Sequence, residues 1–150
     1  MAKKKMIMPP TYFMILLIIS IALHFIFPIK RIIPFPYNHF GWILIAIGIT
    51  LNIWADRIFK DIKTTIKPNE MPSKFVDYGP FKLSRHPVYL GMLMILLGVF
   101  AVAGTLITLL PAIAFVIIIE MLFIPLEERN MQKKFKKKYA EYKKKVRRWI

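Results

Sequence analysis

Four apolar blocks, at about residues 11–27, 40–56, 88–110 and 111–126, decide what this chain can fold into. Each approaches the roughly 20 residues that a helix needs to cross a bilayer. The expected fold is therefore an all-α integral membrane protein, with four transmembrane helices and a C-terminal amphipathic helix at the interface. A hydrophobic content of 57% over 150 residues agrees with this and fits a single domain, 1–150. The first block is read as a retained span, because no small-residue cleavage site follows it and three further blocks do. The absence of cysteine excludes disulfides, thiolate metal sites and cysteine nucleophiles.

The formal charge of +15 raises the question of nucleic acid, and its distribution answers against it. Basic residues flank the apolar blocks, as the charges of cytoplasmic loops do, and they suit anionic lipid headgroups. They crowd the N-terminus at Lys3, Lys4 and Lys5, the segment 57–85 and the tail 127–150. The connection that follows the first block, which Pro28 stops, holds only Lys30 and Arg31, and the connection near Gly104 holds no charge. Both termini, a cap at 57–87 and the tail are thus expected on the cytosolic side. In the tail, Met131, Phe135, Tyr139, Tyr142, Val146 and Trp149 recur at spacings of three and four, the stripe of an interfacial amphipathic helix running from Glu127 to Ile150.

The polar centre of the chain is the hinge from Asp77 to Gly91, punctuated by Gly79-Pro80 and His86-Pro87. A residue before proline is pushed out of the helical region, and proline suits a first helical turn, so Arg85 and His86 stand at a helix entrance. The loop before them is long enough to be functional or disordered, and its aromatics Phe75, Tyr78 and Phe81 suggest that it packs down. Gly41 and Gly48, and again Gly91 and Gly98, are spaced seven apart on one helix face, which favours close helix packing over a cofactor laid on bare backbone. Glu120 lies inside the fourth block; it is either functional or paired with a basic or hydroxyl neighbour. Seven residues separate it from Glu127, which puts both on one face of a regular helix. His24, His39 and His86 lie on different segments, so no metal is expected. A cationic, aromatic hinge facing Glu127-Glu128 suits a zwitterionic ligand, its carboxylate on Arg85 or hinge N–H groups and its ammonium on a glutamate.

Thr64-Thr65, Pro68, Pro72, Gly79-Pro80-Phe81 and Ser84-Arg85-His86-Pro87-Val88-Tyr89-Leu90-Gly91, followed by Glu127-Glu128 and the tail aromatics through Arg148-Trp149, resemble the isoprenylcysteine carboxyl methyltransferase family. Phospholipid methyltransferases share the histidine-proline-x-tyrosine and paired-glutamate elements. The resemblance runs from Trp54 onward. It implies a small membrane methyltransferase that uses S-adenosylmethionine and acts on a lipid or isoprenoid acceptor at the cytosolic face. By position, His86, Pro87, Tyr89, Leu90 and Gly91, with Arg85 and Glu127, would bind the cofactor, and Glu127 and Glu128 would contact its amino-acid end or the reacting centre. Relatives often carry an arginine shortly before the glutamate pair, where this chain has Ile124-Pro125-Leu126; Arg57 or Arg129 is the expected substitute, Arg57 entering the catalytic set with the two glutamates. The acceptor stays open between a carboxylate and an amine. The competing readings are a non-enzymatic membrane scaffold of the same fold and an NADPH-dependent membrane reductase, whose core is similar to this family.

Overall fold

The computed structural model describes residues 7–27, 29–65 and 67–150. Lys3, Lys4, Lys5 and Pro28, used above for orientation and as a helix stop, lie outside the described residues. Helix α1 spans Pro9–Ile26 and opens on two prolines, whose missing N–H groups cost nothing in a first turn. Helix α2 spans Phe40–Asp61 and α3 spans Pro87–Ala103. A 3-10 turn at Leu106–Leu109 leads into α4, Leu110–Ile118; a π turn at Ile119–Phe123 then passes directly into α5, Ile124–Lys145.

Three helical stretches, Pro9–Ile26, Tyr37–Asp61 and Leu106–Lys145, are long and apolar enough to cross a bilayer, and the protein is a multi-pass integral membrane protein. Large apolar side chains face outward along them, with Ile18 62% and Trp42 59% exposed. In water such a surface would drive association; against lipid tails it costs nothing.

Helices α2 and α3 meet through their glycines. A methyl group at Gly41 would stand 2.5 Å from the Gly98 carbonyl oxygen, and one at Gly91 would stand 2.7 Å from that of Gly48. The glycine spacing is thus used for packing, which brings two backbones into contact where lipid offers no hydrophobic drive. On the other side of α3, Phe13 of α1 meets Phe115 of α4 edge to face, with ring centroids 6.3 Å apart, over a core that includes Leu96 and Ile119. Within this core the buried Ser20 hydroxyl donates to the Thr108 carbonyl at 3.1 Å.

The third block is expected over 88–110, with Gly104-Thr105 as the place to bend or end it; α3 ends at Ala103, and Gly104 adopts the left-handed conformation at φ 69°. Its carbonyl accepts the N–H groups of Ile32 and Ile33, and a Cβ there would lie 2.6 Å from the Ile33 carbonyl oxygen. Glycine is the residue that tolerates both demands, so the chain turns there and the last helical run begins before Pro111. The tail departs from the single helix expected over 127–150. It breaks at Lys136, with φ 38°, and ends at Lys145. The residues that follow fold back as an extended strap towards the hinge.

Candidate functional site

The hinge and the start of α5 come together at one end of the molecule, as the sequence implies. Tyr78 precedes a 3-10 turn at Gly79–Lys82, and Phe81 is buried beside Ala55, Ile58 and Val76. Ser84, fully buried, receives the His86 N–H at 3.1 Å and donates its own hydroxyl to the Arg148 carbonyl at 2.9 Å. The Arg85 N–H donates to the Arg147 carbonyl at 3.1 Å. The strap therefore fixes the backbone of the hinge.

His86 is the N-cap residue of α3 but makes no capping bond with its side chain. Its Nδ1 lies 3.0 Å from Glu127 Oε2, its ring stacks on Tyr89 with centroids 5.7 Å apart, and the Tyr89 hydroxyl donates to Glu127 Oε1. Burial pushes the imidazolium of His86 down, but the carboxylates of Glu127 and Glu128 outweigh it, and its pKa stands above the ordinary 6.5.

Glu128 is buried and held from several sides. Arg148 binds it in a bidentate fork, Nε to Oε1 at 3.2 Å and Nη2 to Oε2 at 3.1 Å. Lys143 Nζ lies 3.4 Å from Oε2 and Arg85 Nη1 3.1 Å from Oε1. Arg148 also donates from Nη1 to Glu120 Oε2 at 2.8 Å, and the Trp149 indole N–H donates to Glu120 Oε1 at 2.6 Å. The intramembrane carboxylate thus has its partners. The arginine that binds it also binds Glu128, eight residues on, although a regular helix would align Glu120 with Glu127. The π turn between them absorbs about one extra residue. That extra residue rotates the register, so Glu120 and Glu128 share a face while Glu127 turns towards His86.

A groove bounded by Pro9, Phe59, Phe81, Tyr139, Arg85 and Glu127, among others, opens beside this cluster, with about 1020 Å³ of empty space including its open mouth. Its walls are mainly apolar. Arg85 Nε and Nη1 and His86 Nε2 are buried without a hydrogen-bond acceptor among the described residues; the short Arg85–Glu128 distance is not aligned as a hydrogen bond.

Of the anticipated residues, Arg85, His86, Pro87, Tyr89 and Glu127 line the groove. Glu128 stands behind it. Leu90 and Gly91 are buried away from its lining, Gly91 against Gly48 and Asn52 of α2. Arg57 and Arg129 are exposed, and no ion pair joins either to the glutamates among the described residues; the cations beside Glu128 are Arg85, Lys143 and Arg148. The arginine of the strap was missed as a partner because it is one of many basic residues in the tail. The available signal was Glu120, a carboxylate in an apolar run that had to be paired. The tail stripe packs inward, too: Phe75 meets Phe135, Tyr139 and Tyr142 edge to face, and the Tyr142 hydroxyl donates to the Phe81 carbonyl at 2.5 Å.

Fold and site together define a small multi-pass membrane protein with a buried histidine–carboxylate cluster under a polar cap. A family model described as "Protein of unknown function (DUF1295)" matches residues 6–146, and the chain belongs to that family. It is also similar to an uncharacterized protein of Haemophilus influenzae, 38% identical over 63 residues, which are 42% of this chain and 100% of that relative.

Proposed function

We infer that this protein is an S-adenosylmethionine-dependent methyltransferase, similar to the isoprenylcysteine carboxyl and phospholipid methyltransferases, acting on a lipid or isoprenoid acceptor at the cytosolic membrane face. In this reading α3 is a fourth span, and the tail rests at the interface. The observation that carries it is the cluster of buried Arg85 and His86 nitrogens beside Glu127 in an otherwise apolar groove, three of which make no aligned hydrogen bond among the described residues. Those groups fit the cofactor's amino-acid end: the donors suit its carboxylate and Glu127 its ammonium. Aromatic walls at Phe59, Phe81 and Tyr139 suit the adenine. When bound, the cofactor supplies an already activated methyl group.

The residues of the chain then have to position and shield rather than activate. His86 and Tyr89 orient Glu127 from two sides. The apolar walls exclude water and favour an acceptor with a lipid body, entering where α1 and the cap border the groove at Pro9 and Pro10. The test is incubation of membranes holding the protein with methyl-labelled S-adenosylmethionine, followed by extraction into organic solvent. Label in the extract that His86→Ala removes supports the reading. Label no higher than in membranes lacking the protein, for native protein shown to be folded, contradicts it.

A further inference from the structure

The resemblance reaches Arg148-Trp149 without giving them a role, and the strap, residues 146–150, does not line the groove. It makes hydrogen bonds to Ser84 and Arg85 through backbone groups and to Glu120 and Glu128 through Arg148 and Trp149, yet Arg148 does not border the groove. We propose that Arg148 is a positioning residue that divides the labour of the glutamate pair: it fixes Glu128 as an internal counter-ion and leaves Glu127 as the carboxylate that faces the ligand. The proposal rests on the reading of the groove as a ligand site, and the partition itself can be read without any ligand.

The geometry gives each carboxylate a different set of partners. Glu128 is forked by Arg148 and flanked by Lys143 and Arg85, whereas Glu127 takes its bonds from His86 and Tyr89. A fork is rigid in a way that a single ammonium is not. Anchored through its third nitrogen at Glu120, which the Trp149 indole also binds, Arg148 holds the Glu128 carboxylate 3.6 Å from His86 Nε2, too far for a hydrogen bond. Nε2 thereby stays buried without an aligned acceptor among the described residues. Without Arg148, the Glu128 carboxylate would swing onto His86 Nε2 and close that donor. The π turn serves the same arrangement, since only the shifted register brings Glu120 within reach of the arginine that holds Glu128.

The experiment is a titration of ¹⁵N-labelled histidine by NMR on the full chain in detergent, with S-adenosylhomocysteine binding measured on the same samples. The groups that face His86 are Glu127, Glu128 and Tyr89, with Arg85 adjacent and Arg148 behind Glu128. Arg148→Gln leaves Glu128 less neutralised, so the midpoint of His86 is expected to rise by about one pH unit. Arg148→Lys keeps the charge and loses the fork, so it should give a smaller rise and a several-fold weaker binding constant. Because Arg148 acts through Glu128, the double variant Arg148→Gln/Glu128→Gln should match Glu128→Gln alone. An unmoved His86 midpoint in Arg148→Gln, or additive losses in the double variant, overturns the proposal. If Arg148→Gln does not fold, Arg148→Lys decides: native values for both midpoint and binding overturn it. If the native protein binds no S-adenosylhomocysteine, the cofactor reading fails and the titration alone judges the partition.

Discussion

At the scale of single residues, the site depends on two neighbouring glutamates that do different things. Glu127 reaches the groove and Glu128 is enclosed by cations, so their neutral variants should differ. Glu127→Gln is expected to weaken S-adenosylhomocysteine binding at least about ten-fold, the cost of roughly 1.4 kcal/mol in one charge-assisted contact. Glu128→Gln should instead lower thermal stability, because Arg85 and Arg148 would lose their counter-ion. His86 adds a pH dependence with a defined sign. Its folded pKa is raised above 6.5, so the stability it contributes is fully present below that value and is lost as pH rises through the folded pKa. The thermal midpoint of the native protein should exceed that of His86→Gln most in mildly acidic buffer, and the gap should close in alkaline buffer. A gap that widens with pH would mean that the imidazole is held neutral.

At the scale of elements, the seam between α2 and α3 sets the position of the hinge. Alanine gains up to about 1 kcal/mol over glycine in helix propensity, but at Gly48 or Gly91 the new methyl meets a backbone carbonyl that cannot step aside. Overpacking of this kind costs about 1–3 kcal/mol, so the clash wins. Gly48→Ala and Gly91→Ala should both lower the unfolding midpoint in detergent, and Gly91→Ala should also weaken ligand binding by tilting the start of α3. The seam was legible in the sequence because glycines seven apart fall on one helix face, where close packing was the favoured of two readings. The π turn was not, since Ile119 to Phe123 is an apolar run with one glutamate, equally suited to an α-helix. The break at Lys136 was hidden as well: a run of lysines carries no turn signal, and the strap is fixed by distant partners rather than by its own composition.

At the scale of the whole molecule, the hinge, cap and tail gather at one end, and the connection around Ile32 and Gly104 lies at the other. By the positive-inside rule, the charges predict that the first end faces the cytosol. Because the chain contains no cysteine, orientation can be read from single introduced thiols. Lys74→Cys and Lys144→Cys should react with an impermeant reagent only from the cytosolic side, and Pro34→Cys only from the opposite side; labelling of all three from one side would contradict the multi-pass topology. The apolar helices and the multi-pass character were legible because hydrophobicity is a property of composition, whereas the division of the glutamate pair depends on the strap folding back. The most direct measurement of the central claim is the binding of S-adenosylhomocysteine to the purified protein in detergent, with Glu127→Gln and His86→Ala beside it and NADPH as the control ligand. Saturable binding that both substitutions weaken, with none of NADPH, is the predicted result; binding of NADPH alone, or of neither ligand by folded protein, would contradict the methyltransferase assignment.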